Sequence, residues 1–221
     1  MRTIARALFI FPLLLSITHA DPQAGWQDLS NLESWVDGAG KPVPAGKWAV
    51  RDKILHLSGK GGGSLYSAKE YGDFELIFDW KISPKGNSGL KYRMAKYEGK
   101  GMLGLEYQVY DDGDKPFSKS SSASLYDIIP PDPKTKKTNK VGEWNRTRIV
   151  VRGAHFQHFL NGKKVVEITV GTPEWKTALA QSKFRNAKGF AENAKGPLML
   201  QDHGSEVWYR EIRLKELESL P

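Results

Sequence analysis

Hydrophobic and polar residues alternate along several short stretches of this chain. The clearest stretch runs from Asp73 to Ser83, where an apolar side chain comes at every second position: Phe74, Leu76, Phe78, Trp80 and Ile82. Side chains of a β-strand point to opposite faces in turn, so this pattern predicts a strand with one face in a core. No stretch of the chain shows sustained helical periodicity.

Turn signals divide the alternating stretches into hairpins. Trp48 to Leu57 predicts a hairpin with its turn at 51–53, and Asn161-Gly162 is the strongest short turn signal in the chain. Thr172 predicts the cap of one short helix over 173–181. About ten to fourteen short strands with one brief helix indicate an all-β fold, a two-sheet antiparallel jelly-roll sandwich.

Two predicted strands within 87–112 carry polar residues on one face. Lys91 and Arg93 share a face of the first strand, and Glu106 and Gln108 share a face of the second. If the apolar residues pack into a core, two cations, a carboxylate and an amide all point outward together. Such a face suits sugars, whose hydroxyl groups need hydrogen bonds, but it is equally typical of a solvated sheet.

The last predicted strand contains a conflict of faces. Trp208, Arg210, Ile212 and Leu214 all fall on one side of it, although one of the four is charged. Either Arg210 is buried against a carboxylate, or a β-bulge shifts the register of the strand.

The first twenty residues are predicted to be a signal peptide. Arg2 and Arg6 precede an apolar run, and Thr18-His19-Ala20 has the small residues of a cleavage site. The apolar run is too short to span a bilayer comfortably. We therefore expect one domain over residues 21–221, periplasmic or secreted, with no membrane anchor after cleavage.

Composition narrows the chemistry further. The formal net charge is +8, but the basic residues are scattered, apart from a predicted solvated loop with Lys134, Lys136, Lys137 and Lys140. Nucleic acid is therefore not an expected partner. The chain has no Cys, which excludes disulfides, thiol nucleophiles and cysteine metal sites. Its 7 Trp, 8 Tyr and 9 Phe supply apolar surface for a core instead.

Patterns for metal binding are incomplete. Asp111-Asp112-Gly113-Asp114 is rich in oxygen ligands but lacks the length and terminal Glu of an EF-hand loop, so a plain acidic turn and a Ca²⁺ site are both open. His155 and His158 are three residues apart, which places them on opposite faces of a strand. We expect no cofactor.

Five segments of the chain resemble one known family. They are NSGLKYR, LEYQVYDD, SLYDIIPP, GEWNRTRIVVRGAHFQHFLNGKKVVE and GPLMLQDHGSEVWYREIRLKEL. In this order they resemble the 3-keto-disaccharide hydrolase family, from Gly25 to Leu217. The resemblance implies a concanavalin-A-type jelly roll with a ligand on its concave face. It also implies an enzyme that cleaves glycosides oxidised to a ketone at C3, by 1,2-elimination to a 2-hydroxy-glucal or the reverse hydration.

A ketone at C3 acidifies the C2 hydrogen, so this chemistry needs a base, donors for the C3 oxygen and an acid for the departing oxygen. Glu106 is the predicted base, with His158 as its proton-handling partner and Arg93 at the C3 oxyanion. An ordinary glycosidase needs two carboxylates at a defined separation, whereas Glu106 has no acidic neighbour on its face. A histidine on an apolar face, like His158, is also typical of a protein core.

Further residues are predicted to bind an oligosaccharide or glycoside substrate: Lys91, Gln108, Tyr126, Asp127, Gln201, His203 and Trp208. Asp127 has the alternative role of capping its own turn. Two other functions stay open on the same fold, a non-catalytic carbohydrate-binding module and a structural or adhesion protein.

Overall fold

The computed structural model describes residues 24–218, so the predicted signal peptide lies outside the described residues. Within this range the chain forms one helix, α1 (Pro173–Ala180), and thirteen strands. The strands are β1 (Trp26–Asp28), β2 (Trp35–Val36), β3 (Trp48–Arg51), β4 (Ile54–Ser58), β5 (Leu65–Tyr71), β6 (Phe74–Ile82), β7 (Asn87–Tyr97), β8 (Gly101–Tyr110), β9 (Asn145–Arg152), β10 (His155–Leu160), β11 (Lys163–Thr169), β12 (Gly196–Leu200) and β13 (Glu206–Glu216). No helix in this range is long and apolar enough to cross a membrane.

The strands form two sheets that pack face to face. The larger sheet has the order β11-β10-β9-β6-β13-β4-β3, with β1 paired to the end of β13. The smaller sheet has the order β2-β5-β12-β7-β8. The ladders between these strands are antiparallel. This architecture confirms the predicted two-sheet antiparallel jelly-roll sandwich.

The core lies between the two sheets and is rich in aromatic rings. All five alternating residues of β6 are buried, as the pattern predicts. Rings of the two sheets meet edge to face, with centroids 5.7 Å apart for Phe78 and Tyr107 and 6.0 Å apart for Phe74 and Tyr92. Because the chain has no disulfides, the burial of these rings is a main source of its stability.

The predicted turns and helix are confirmed. Asp52 and Lys53 have φ of 51° and 60°, and Asn161 and Gly162 have φ of 47° and 81°. Two consecutive residues with positive φ match the twist of the strands on either side, which is why they close tight hairpins. The side chain of Thr172 accepts a backbone N–H of α1 and caps it.

A β-bulge resolves the conflict of faces in β13. The register changes after Arg210, and Glu211 has a φ of 52°. Trp208 and Arg210 point away from the core, whereas Ile212 is fully buried in it. The predicted bulge is therefore confirmed, whereas the predicted burial of Arg210 is wrong: its side chain is 39% exposed, although its Nε donates to Oδ2 of Asp79 at 3.1 Å.

The long connection between β8 and β9 folds against the smaller sheet. Its Ala123 N–H donates to the carbonyl of Gln108 at 2.8 Å, and its Tyr126 N–H donates to the carbonyl of Glu106 at 3.0 Å. Residues 121–126 therefore lie along the outer edge of β8. This position brings the connection next to the polar face of the sheet.

The expectation of a solvated lysine loop is wrong for Lys136. This residue is 6% exposed, and its Nζ donates to Oδ2 of Asp112 at 2.7 Å and to the carbonyl of Pro116 at 2.6 Å. Ser122 donates to the same carboxylate through its N–H and its hydroxyl group. Asp112 thus organises the connection from inside, which a pattern of local charges does not show.

Candidate active site

Polar residues of neighbouring strands lie together on the outer face of the smaller sheet, the side that points away from the core. Lys91 of β7 pairs with Glu106 of β8, and Gly89 pairs with Gln108. Just after β12, the Gln201 N–H donates to the carbonyl of Gly89 at 2.9 Å. Residues paired across adjacent strands point to the same side, so these five residues share the outer face.

Glu106 is a buried carboxylate at the centre of this group. It is 4% exposed, and Nζ of Lys91 lies 3.6 Å from its Oε2. Burial raises the pKa of Glu106 above that of an ordinary glutamate, while the charges of Lys91, Lys183 and His203 oppose the rise. A carboxylate with a raised pKa binds a proton more readily and is suited to act as a base.

Gly89 makes room for this carboxylate. A Cβ atom at Gly89 would lie only 2.5 Å from Oε1 of Glu106. The carboxylate therefore lies directly above the backbone of Gly89, with Gln108 on one side and Gln201 on the other. A glycine inside a strand often marks such a close approach.

Two amide oxygens beside Glu106 have no hydrogen-bond partner among the described residues: Oε1 of Gln108 and Oε1 of Gln201. Gln108 is 2% exposed, and its Nε2 donates to Oδ1 of Asn87 at 3.1 Å. Buried polar atoms are normally paired, so two unpaired acceptors in one place call for a donor from outside the chain, such as a water molecule or a hydroxyl group of a ligand.

Two loops form a wall beside Glu106. Nζ of Lys183 lies 4.1 Å from the centre of the Tyr126 ring, and the backbone N–H of Tyr126 donates to the carbonyl of Glu106. The backbone N–H of Lys183 donates to Oδ2 of Asp127 at 2.6 Å. Tyr126 therefore lies at the predicted site, whereas the Asp127 carboxylate joins the two loops.

His203 belongs to the same site through the turn that follows β12. It is exposed, and its charge acts on Glu106. The neighbouring Asp202 fixes the turn, because its Oδ2 accepts the N–H groups of Gly61 and Gly63 at 3.2 and 2.9 Å. The glycine loop 59–63 thus anchors the strand end that carries His203.

The predicted place of Arg93 beside Glu106 is wrong. The register of β7 shifts after Tyr92, and Arg93 has a φ of 49°, so a β-bulge turns its side chain out of the alternating pattern. The Arg93 guanidinium donates to Oδ1 of Asp73 at 2.9 Å and to the carbonyl of Asn193 at 3.1 Å. Its role here is to hold the loop before β12 against the sandwich.

The predicted pairing of His158 with Glu106 is also wrong. His158 is fully buried, with Nε2 2.8 Å from the hydroxyl of Tyr92 and Nδ1 3.2 Å from the carbonyl of Ala123. These contacts lie in the core between the sheets, whereas Glu106 lies on the outer face. Desolvation lowers the pKa of His158 to about 4. It is a core histidine with satisfied nitrogens, which was the alternative interpretation.

Trp208 lies on the outer face of the larger sheet, on the other side of the molecule. Its neighbours across the ladder are His56 and Lys81. The ring stacks on His56 with centroids 5.0 Å apart, and Nζ of Lys81 lies 4.3 Å from its centre. The prediction that Trp208 binds the same substrate as Glu106 is therefore wrong.

The acidic turn 111–114 anchors two loops. Oδ2 of Asp111 accepts the backbone N–H of Lys85, before β7, at 2.6 Å, and Asp112 accepts from Ser122 and Lys136 in the loop that follows. Residues 24–218 contain no group of three or more His, Cys, Asp or Glu side chains placed to hold a metal ion.

Two residues of the site were not foreseen. Lys183 lies in an irregular stretch after α1 with no periodic pattern, and only tertiary packing brings it to Tyr126. Gly89 carried a signal, since a glycine within a predicted strand suggests close approach of another group. Gln201 and His203 were predicted from their strand end, and the structure brings both to this face.

Comparisons with known proteins agree on one family. The family model of the 3-keto-alpha-glucoside-1,2-lyase-like domain matches residues 25–215. A 3-keto-disaccharide hydrolase of Bacteroides thetaiotaomicron is 34% identical in an alignment of 216 residues; the match covers 82% of this chain and 74% of the relative.

Solved structures agree on the fold. A Parabacteroides distasonis protein assigned as a glycosyl hydrolase is 26% identical with a TM-score of 0.76, over 88% of this chain and 95% of that one. A Bacillus subtilis protein with a galectin-like fold is 11% identical with a TM-score of 0.53, over 88% of this chain and 96% of that one. At this identity the second likeness concerns the fold alone.

Proposed function

This chain belongs to the 3-keto-alpha-glucoside-1,2-lyase-like family, and from that premise we propose that it cleaves glycosides whose sugar carries a ketone at C3. The observation that carries the proposal is the buried Glu106 carboxylate, with its raised pKa, among the charges of Lys91, Lys183 and His203. A single base surrounded by cations suits the removal of a proton next to a ketone.

The proposed reaction begins at C2. Glu106 takes the C2 proton, and the electrons of the C–H bond form a C2–C3 double bond while the C3 oxygen becomes negative. The enediolate then restores the C3 ketone, forms the C1–C2 double bond and breaks the bond from C1 to the glycosidic oxygen. That oxygen leaves with a proton, and addition of water across C1–C2 completes a net hydrolysis.

The cations have distinct proposed roles. Lys91 lies 3.6 Å from Glu106, and Lys183 is held at Tyr126, so both ammonium groups are available to stabilise negative charge at the C3 oxygen. His203 is exposed, and an imidazole ring can carry a proton and release it. We therefore assign to His203 the proton of the departing oxygen. These roles replace those expected of Arg93 and His158.

The surroundings of Glu106 favour elimination over direct displacement. A two-carboxylate glycosidase needs a second free acid across C1. The acids of the neighbouring loops are engaged otherwise, since Asp127 accepts the Lys183 N–H and Asp202 accepts the N–H groups of Gly61 and Gly63. Neither carboxylate is oriented as a partner for Glu106.

The test compares a 3-keto-disaccharide with its unoxidised parent. We expect the wild type to cleave the oxidised sugar and to leave the parent intact, with a 2-hydroxy-glucal detectable by mass spectrometry or NMR before its hydration. Equal cleavage of both sugars would reject the elimination and indicate an ordinary glycosidase. Tight binding without turnover of either sugar would support the carbohydrate-binding module.

We also propose export of the chain, on the basis of the signal-peptide pattern in residues 1–20. Expression with its native start, followed by fractionation and N-terminal sequencing, should give a mature protein that begins near Asp21. Recovery of the uncleaved chain in the cytoplasm would contradict this.

A further inference from the structure

Around Glu106, hydrogen-bond acceptors and hydrogen-bond donors come from different residues. Oε1 of Gln108 and Oε1 of Gln201 are acceptors without a partner among residues 24–218, and the two residues lie on either side of Gly89, above which the carboxylate sits. The groups that donate hydrogen bonds or carry positive charge come from Lys91, Lys183 and His203. One part of the site therefore accepts hydrogen bonds, and the remaining part donates them.

We infer that Gln108 and Gln201 form a pair of acceptors for two hydroxyl groups of the sugar, and that the keto oxygen lies on the cationic side. This inference rests on the proposed function for its substrate class. A ketone oxygen cannot donate a hydrogen bond, so placing it against either amide would leave that acceptor unpaired and set two oxygens against each other. Hydroxyl groups at the same place satisfy both amides.

The structure holds the backbone of both residues and the side chain of Gln108. Gln108 is held by its bond from Nε2 to Asn87, and the backbone of Gln201 is held by its bond to Gly89. Neighbouring strands are about 4.8 Å apart, so the two glutamines, separated by β7, start roughly 10 Å from each other. Their side chains can therefore contact different hydroxyl groups of one sugar ring.

A cation is the competing occupant of three clustered oxygen groups. Carboxylate and amide oxygens are ligands that Ca²⁺ accepts. The Lys91 ammonium is already 3.6 Å from Oε2 of Glu106, and the charge of Lys183 acts on the same carboxylate. Two ammonium groups beside the site repel a divalent ion, which favours neutral hydroxyl donors.

The experiment pairs amide variants with sugars that lack single hydroxyl groups. The variants are Gln108→Leu and Gln201→Leu, with Gln157→Leu on the larger sheet as the matched control and Gln108→Asn as a milder change that keeps the amide. The substrates are a 3-keto-disaccharide and its 4-deoxy and 6-deoxy analogues. Isothermal titration with the corresponding unoxidised glycosides, with and without Ca²⁺, provides a second readout independent of turnover.

We expect deletion of a contacted hydroxyl to weaken kcat/KM and binding by about 10- to 100-fold in the wild type and in Gln157→Leu. In one of the two leucine variants, kcat/KM and affinity should be the same for that deoxy analogue as for the full sugar. The substitution has already removed the contact that the hydroxyl group makes. Gln108→Asn should fall between Gln108→Leu and the wild type.

If the loss from the leucine substitution and the loss from the missing hydroxyl group multiply, in turnover and in binding, the acceptor pair is rejected. Sugar binding that requires Ca²⁺ would also reject it. Turnover of the keto sugar without this coupling would reject the pair and keep the proposed function. Coupling in the binding assay without turnover of any keto sugar would keep the pair and reject the proposed function.

Discussion

The hydroxyl oxygen of Tyr92 lies 2.8 Å from Nε2 of His158, and this hydrogen bond joins the two sheets inside the core. Tyr92 belongs to β7 of the smaller sheet and His158 to β10 of the larger one. Burial raises the pKa of Tyr92 and lowers that of His158 to about 4, so both side chains are neutral at physiological pH. The pair stabilises the fold and is remote from the site chemistry.

The first prediction concerns the pH dependence of stability. The pKa of His158 is about 4 in the folded chain against an ordinary value of 6.5, so the unfolded chain binds more protons between these values. The free energy of unfolding therefore has its full value above about pH 6.5. It falls as the pH drops from 6.5 towards 4, by up to about 3 kcal/mol from this histidine. Urea unfolding of His158→Gln should show a flatter pH dependence in this window. His155→Gln, a half-buried histidine on the outer face of the larger sheet, is the control, and equal slopes in wild type and His158→Gln would contradict the prediction.

The second prediction concerns the base. Glu106→Gln keeps the size and most of the hydrogen bonding but removes the basic carboxylate. We expect kcat on a 3-keto-disaccharide to fall by about 10²–10⁴-fold with little change in KM. In the wild type, activity should decline as the pH falls through the raised pKa of Glu106, because protonation removes the base. The exposed Glu70→Gln should retain both the rate and this decline, and a fully active Glu106→Gln would assign the base elsewhere.

The third prediction uses the space above Gly89. In Gly89→Ala the new Cβ would meet Oε1 of Glu106 at 2.5 Å, so the carboxylate must move. A displacement of this size at a catalytic group costs about 10²-fold in rate. Steady-state kinetics should show the loss while thermal unfolding changes little. Gly38→Ala is the control, since its Cβ would lie 3.8 Å from Tyr66, an ordinary contact. Unchanged kinetics in Gly89→Ala would show that the position of this carboxylate does not matter.

The fourth prediction separates structure from catalysis at Arg93. Arg93→Met leaves the Asp73 carboxylate, whose side chain is 9% exposed, without its cation. Removing one partner of a buried ion pair costs about 3–5 kcal/mol, which denaturant unfolding will measure. The pH dependence of the remaining activity should stay that of the wild type, because Arg93 does not contact the site. Arg51→Met, an exposed arginine, should change neither property. If folded Arg93→Met protein shows a pH dependence of activity clearly different from that of the wild type, Arg93 has the catalytic role that the sequence predicted.

Local patterns were sufficient for most of the fold and for part of the site. Alternation in β6 and positive φ at Asn161-Gly162 depend on neighbouring residues, so they can be read from the sequence. The same alternation placed Lys91 and Glu106 together, because no bulge intervenes between the paired residues.

The positions of Arg93, His158 and Lys183 depend on bulges and tertiary packing, which the alternation of polar and apolar residues does not show. One extra residue at the β7 bulge removes Arg93 from the face that carries Lys91 and Glu106. His158 lies in the core and Glu106 on the outer face, so the smaller sheet lies between them. His158 did lie on the apolar face that its neighbours indicated, so the error was to assign it a role in the site. Lys183 reaches Tyr126 only through packing of two irregular loops.

The hydrogen bonds between residues 121–126 and β8 have a consequence for association between molecules. A ten-residue strand such as β8 would present a row of unpaired N–H and carbonyl groups at the edge of its sheet, which is a template for pairing with another chain. The bonds from Ala123 to Gln108 and from Tyr126 to Glu106 occupy that edge. Shortening this connection to widen access for larger glycosides would therefore expose a strand prone to intermolecular aggregation.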